Sequence, residues 1–398
     1  KVNIHFDMKV IKGKDGKPRT RPFVRDAEFF GKVLLVQNPK MKKPAPAKPG
    51  DKPKPKPKVE PVAPRRDWVA CDMLKVWMKT APDTGKVNIE KADARGNVRA
   101  YQEGSEIAAN KVVVTFETRP KPPVLAKGAK PAIKPATPGK PAKLGLFAMG
   151  RSGKVRASHV VAEGDVDVKY MDPQDPTREP LLVKADYFSA DLKRQLAAVG
   201  GKPATIVQGK NLISGGVIYF DQNGEAAKVE GPGTLVFHTK SDLSGNTLKA
   251  ARPLKVTWQK SMLYHGNLGL GTFQGDVDLR SAGELMQCQT LKLNFQADDQ
   301  AKRKDRVSRR SLGLGLDTYS KRSLSSLEAT GGMAGGELVL MRSTKFSTVN
   351  TDWLSQRMEL RGKTVFYEAA SGNVRVTGKG SFLAEDYRKP LAKTKKPA

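Results

Sequence analysis

From Leu254 to Phe295 the chain alternates apolar and polar residues along three short runs: Leu254–Trp258, Leu270–Leu279 and Met286–Phe295. Alternation with a period of two puts one face of a strand into a core and the other into water. Gly266-Asn267, Gly275-Asp276 and Gly283 supply turn chemistry between the runs. Three strands so closely spaced leave no room for a crossover helix, so the pattern predicts an antiparallel meander.

The same pattern recurs along the chain in two halves. The first half is a small or aromatic residue, any residue, Gly, Asn or Asp, then Val. It appears at Ala94–Val98, Ala162–Val166, Phe273–Val277 and Ala370–Val374, with a weaker copy at Phe29–Val33. The second half is apolar-x-small-x-x-apolar-x-apolar. It appears from Val69, Ile107, Val183, Met286 and Trp353, and a shortened form runs from Phe382 to Tyr387. Gly96 to Ile107 and Gly275 to Met286 are both eleven residues apart. Repetition of this kind predicts stacked supersecondary units that share one core. The step of three inside a period of two predicts a bulge or corner at the same place in each strand.

The pattern A-x-G-N-V followed by I-x-A-x-x-V-x-V resembles the OstA-like (organic solvent tolerance-like) family, the periplasmic β-jelly-roll modules of lipopolysaccharide transport. Ala94–Phe116 and Phe273–Phe295 carry it best. With the repeats, the resemblance implies an all-β, elongated β-jelly-roll or β-solenoid of stacked antiparallel repeats, with long disordered Lys/Pro insertions. It also implies a periplasmic or cell-envelope location. The chain begins at Lys1 with no signal-peptide pattern, as a processed protein or an excerpt would. The implied function is non-enzymatic: an apolar trough that binds or conveys lipopolysaccharide or a similar amphiphile. Pleat geometry assigns the trough to inward positions of the repeats, namely Ile107, Val112, Val114, Phe116, Val183, Phe188, Leu291, Leu293 and Phe295. Lys111, Thr115, Lys292 and Asn294 point the other way. Exposed terminal strands would pair with other β-jelly-roll transport proteins.

Composition adds the organisation of the chain. Of 398 residues, 71 are Lys or Arg and 40 are Asp or Glu, a net charge of +31. Much of the excess sits in two low-complexity tracts. Pro39–Arg66 holds ten basic residues against two acidic, and Glu117–Lys143 seven against one. Lysines that repel one another and prolines that lack a donor keep such tracts extended and solvated. The expected organisation is a first repeat over 1–37, an insertion over 38–66, repeats over 67–116, a second insertion over 117–145, central repeats over 146–297, a basic loop over 298–326, C-terminal repeats over 327–387 and a tail over 388–398. Lys193–Gly200 is open to a helical turn. No apolar run approaches the roughly eighteen residues of a membrane helix.

The charge favours an anionic surface or polymer as a partner of the basic loops. Nucleic acid is the weaker reading, because the tracts lack the interleaved aromatic residues of a single-strand platform. This keeps an alternative open: a structural envelope protein with a filled interior, whose loops hold an anionic polymer. Catalytic and metal chemistry is absent from the pattern. His5, His159, His238 and His265 are scattered, and neither Leu312–Leu316 nor Gly331–Gly336 leads into the helix of a phosphate loop. No cofactor is expected. Cys71 and Cys288 share the small-residue position of the repeat, which predicts buried, unpaired thiols. The tract composition also makes a prediction. Replacing Pro39–Pro64 by a short Gly/Asn loop leaves the thermal midpoint within about a few degrees, because such a tract buries too little apolar area to matter. Loss of the β-sheet circular dichroism would show the tract to be structural.

Overall fold

A computed structural model describes residues 1–12, 18–37, 67–80, 87–102, 104–118, 155–171, 177, 179–221, 226–241, 247–281, 283–297, 322–333, 336–346, 354–368, 371 and 373–386. Within them the regular structure is antiparallel β, a jelly roll of stacked repeats. The described residues fall into two compact units, 1–180 and 181–386. The first holds β1 (Val2–Lys12), β2 (Pro18–Gln37), β3 (Asp67–Thr80), β4 (Val87–Gln102), β5 (Ser105–Thr118) and β6 (Val155–Tyr170). Each of these pairs antiparallel with the next.

β2, β4 and β6 each carry an extra residue at the corner of the repeat, and the sequence shows why. On β4 two residues, Gly96 and Asn97, lie between paired positions Arg95 and Val98, while β5 has only Asn110 between Lys111 and Ala109. This two-against-one count is a β-bulge, which bends the strand and tightens its twist. Gly96 and Asn97 have φ of 73° and 47°, and Gly164 and Asp165 on β6 have 74° and 49°. Gly, Asn and Asp are the residues that enter this left-handed region at least cost, so the recurring Gly-Asn/Asp pair writes the corner directly. Around it the side chains bond across strands. Asn97 Nδ2 donates to Asp72 Oδ2 at 3.1 Å, and Asn110 Nδ2 to Asp165 Oδ2 at 3.4 Å. The weak copy at Gly31-Lys32 makes the same bulge opposite Asp72.

The second unit runs from β7 (Leu181–Asp191) through β8 (Leu196–Gln208), β9 (Asn211–Asp221), β10 (Ala226–Ser241), β11 (Thr247–Trp258), β12 (Ser261–His265), β13 (Leu270–Ser281) and β14 (Glu284–Ala297). It continues with β15 (Arg322–Thr330), β16 (Val339–Phe346), β17 (Leu354–Gly362), β18 (Thr364–Glu368), β19 (Asn373–Thr377) and β20 (Ser381–Asp386). At several corners the strand breaks in two instead of bulging. β11 and β12 pair with the two halves of β10, and β15 and β16 with the two halves of β14. From there β18 and β19 extend one arm, and β17 and β20 the other. Backbone bonds carry the ladder through the corner: Gln259 N donates to Gly275 O at 2.7 Å, Gly331 N to Lys363 O at 3.1 Å and Lys363 N to Thr377 O at 3.1 Å.

Several details differ from the sequence expectation. Gly275-Asp276 is a bulge inside β13, with φ of 84° and 43°, where a turn between strands was expected. Leu254–Phe295 spans parts of four strands, because β12 is separate. Lys193–Gly200 holds no helical turn that persists. Asp191 Oδ1 accepts from the backbone N–H of Lys193 and Arg194, and the chain then runs on as β8. Strand β15 begins at Arg322, inside the expected basic loop. The two Lys/Pro tracts lie outside the described residues apart from their edges, as do Gly372 of one repeat copy and the Leu312–Leu316 run.

The corner makes a stability prediction. A Cβ on Gly275 would stand 2.9 Å from the backbone nitrogen of Lys260, in a left-handed conformation. Gly275→Ala therefore costs about 1–3 kcal/mol in urea unfolding. Asp276→Gly, which removes a side chain from a φ of 43°, changes stability by less than about 1 kcal/mol. Equal effects at the two positions would contradict the corner reading.

Candidate lipid-binding interior

The strand registers connect the inward side chains into continuous rows. In the first unit one row reads Val2, Phe29, Leu74, Ala94, Val112, Ala162, and the next Ile4, Ala27, Val76, Ala92, Val114, Val160. Across the corner a third reads Leu35, Val69, Ala100, Ile107, Val168. Ile107, Val112 and Val114 are buried. Phe116, opposite Ala157, is only half-buried.

In the second unit Val183 begins a row that passes through Ile206, Ile213, Leu235, Val256, Leu279 and Met286, and ends at Met341, Leu360 and Phe382. Phe188 begins one that passes through Val199, Ile218, Val229, Met262, Phe273, Leu291, Ala329, Val365 and Val376. Leu293 lies beside it, between Gly271 and Leu327. The alternation thus gathers Val183, Phe188, Leu291, Leu293 and Phe295 within one unit, and Ile107, Val112, Val114 and Phe116 within the other.

What alternation does not give is how far the two arms of a unit stand apart. In the second unit they touch. Phe237 on one arm meets Phe295 on the other edge-on, with ring centroids 5.8 Å apart, and Trp258 meets Phe273 at 5.4 Å. Trp258 Nε1 donates to Gly231 O at 3.1 Å, which satisfies the one polar atom the ring would otherwise strand. Leu291 and Leu293 are 0 % exposed. Around them the interior is therefore a packed core. Among the described residues the rows are most exposed at their ends. On β1, Val2, Ile4 and Phe6 are 51–56 % exposed, and on β20 Phe382 is 63 % exposed. Each continues the inward face of its own unit, yet sequence reasoning did not single them out. Val2-x-Ile4-x-Phe6 carries the period-two signal that marks them.

Cys71 and Cys288 lie buried and unpaired in their shared position. Burial pushes the Cys288 thiol up to about 12 and the Cys71 thiol to about 11, the latter helped by the neighbouring Asp72 charge. The one grouping with metal-ligand character among the described residues is His5, Asp26 and Glu28, whose ligand atoms lie within 4.8 Å of one another. Arg25 Nε already bonds Asp26 at 2.8 Å, and Lys75 Nζ bonds Glu28 at 2.7 Å. These cations answer both carboxylates and would repel a metal ion. Of Gly331–Gly336, residues 334 and 335 lie outside the described residues, and Gly332 N donates to Gly336 O at 2.7 Å. The stretch runs into a strand rather than a helix.

Stacked antiparallel strands, bent in register around apolar rows, define a β-jelly-roll protein of the kind that the repeats indicated. Residues 83–251 match the family model of the LptA/(LptD N-terminal domain) LPS transport protein. Over that stretch the chain is similar to the OstA-like family that its Gly-Asn/Asp corners and alternating rows resemble. Among solved structures it is similar to LptH from Pseudomonas aeruginosa, described as the LptA homologous periplasmic component of the lipopolysaccharide transport device. The identity is 18 %, over 29 % of this chain and 76 % of that one, with a TM-score of 0.24. Comparison with curated proteins gives no match.

The thiols test the burial described here. With a thiol reagent at pH 8, native protein reacts slowly, and two equivalents react at once in denaturant, because the thiolate is the nucleophile. Fast native reaction of either cysteine would place it in an accessible site.

Proposed function

We propose that the protein is a non-enzymatic component of lipopolysaccharide transport in the periplasm, and that its inward rows bind the acyl portion of lipopolysaccharide or a similar amphiphile. The family match over residues 83–251 supports the transport role. The binding role rests on one observation: unbroken apolar rows that end in exposed side chains on terminal strands. Acyl chains would lie along Ile107, Val112, Val114 and Phe116 in one unit, and along Val183, Phe188, Leu291, Leu293 and Phe295 in the other. Such binding needs no chemistry, since each buried methylene contributes about 0.8 kcal/mol. The described edges of β1, β19 and β20 each pair on one side only. They offer both backbone groups and apolar row ends to a strand of another β-jelly-roll protein.

The packed centre of the second unit favours a second reading, a structural envelope protein with a filled interior. The two readings separate in one experiment. Val114→Ala and Leu293→Ala are tested for stability and for binding of a fluorescent lipid A analogue, with outward Thr115→Ala as the control. On the transport reading the analogue binds saturably, each inward truncation weakens it by about three- to tenfold, and Thr115→Ala leaves it alone. On the structural reading no acylated amphiphile binds saturably, and each inward truncation costs stability, about 2–5 kcal/mol for Leu293→Ala.

A further inference from the structure

The outward face of the second unit carries a row of a different kind. Val236, Lys255, Arg280, Leu285, Arg342 and Glu359 stand opposite one another in register, on β10, β11, β13, β14, β16 and β17. Lys255 and Arg280 face each other directly, a like-charge pairing that destabilises an antiparallel ladder unless something negative answers it. Part of the answer is internal. Arg280 grips Asp278 through Nε and Nη2, at 2.6 and 3.0 Å, and Gln287 Nε2 steadies the same carboxylate at 3.1 Å. Among the described residues Lys255 makes no close ion pair, though its charge also acts on Asp278.

Arg342 is similarly fixed but less neutralised. Its Nε and Nη2 donate to Glu359 Oε2 at 3.1 and 3.0 Å, while Arg357 and Arg361 donate to the same carboxyl group. Three guanidinium groups share Glu359, and Glu385 lies 3.9 Å from Arg357 Nη1, so the cluster keeps more positive than negative charge. The bonds from Arg357, Arg361 and Arg342 hold Glu359 down to about 2, so it stays ionised at neutral pH. These forks immobilise both arginines of the row while leaving each Nη1 outside them.

Between Lys255, Arg280 and Arg342 lies an open cleft of about 610 Å³, with Val236, Pro253 and Leu285 as its apolar part. Glu284 is the one carboxylate on its wall, against those three cations. We propose that this cleft binds a phosphate monoester carrying a short apolar body. The phosphate sits among Lys255, Arg280 and Arg342, and the apolar body lies on Val236, Pro253 and Leu285. Donors from three different strands suit the three terminal oxygens of a monoester, whereas a carboxylate has only two oxygens to offer. The site lies on the face opposite the inward rows, so it stands or falls separately from the interior reading. The shared chemistry has two sources, a phosphorylated lipid headgroup or a small soluble phosphate ester.

The test is calorimetric titration of the full chain with octyl phosphate, inorganic phosphate and octyl glucoside. Octyl phosphate is expected to bind saturably, about tenfold more weakly in Lys255→Met and severalfold more weakly in Leu285→Ser, and less tightly as salt rises. Lys184→Met, at an exposed lysine of β7 outside the cleft lining, is expected to leave this binding unchanged. Co-sedimentation of wild type, but not Lys255→Met, with phosphatidic acid vesicles would assign the lipid source. Octyl phosphate binding without co-sedimentation would assign the soluble one. The proposal is overturned if octyl phosphate does not bind saturably, or if Lys255→Met binds it as wild type does. Octyl glucoside binding equally well would overturn the anionic half, and inorganic phosphate binding as tightly as octyl phosphate would overturn the apolar half.

Discussion

The structure depends on a mismatch of one residue at the corner. A strand with strict alternation that bends without a bulge would keep its parity only by chance, and a slip of one residue turns every later side chain to the other face. Here the bulged strand spends Gly-Asn or Gly-Asp where its partner has a single residue, as Gly96-Asn97 does opposite Asn110 and Gly275-Asp276 opposite Gln289. Inward residues before and after the bend then face the same interior. The left-handed conformation that makes this possible excludes most other residues at the Gly position, so the sequence must repeat it.

That constraint explains which parts of the molecule could be read from sequence. Strand positions, the corner and the inward identity of residues such as Val112 and Leu293 are local, set by period and by residues with unusual φ preferences. The breaks between strands were harder. Gly275-Asp276 has the composition of a hairpin turn, and only pairing with Thr290 and Cys288 on either side reveals it as a bulge. The separation of the arms was not legible, because it depends on ring contacts such as Phe237 with Phe295, which lie far apart in sequence and on opposite arms. The same holds for the three arginines around Glu359 and for the opposition of Lys255 and Arg280. Register brings these together, and charge pattern along the chain does not show it.

On the proposed function, loading the interior would trade contacts between arms for newly buried acyl chain. Admitting an acyl chain means giving up contacts between arms, and an aromatic pair such as Phe237 with Phe295 contributes about 0.5–1.5 kcal/mol beyond its area. On that function the exposed row end on β20 would be where an apolar chain meets the rows of its unit without first separating the packed centre. Reversible exchange of this kind suits conveyance better than tight storage, since a carrier must also release its cargo.

The central claim is that acyl chains lie against the inward rows. It is tested most directly by placing a photoreactive phenylalanine at Leu293 in one variant and at the adjacent outward Asn294 in another. Each is irradiated with lipopolysaccharide and the adducts are counted by mass spectrometry. The account predicts a lipopolysaccharide adduct at position 293 and none above background at 294. Equal labelling at both positions, or none at 293 in a folded variant, would contradict it.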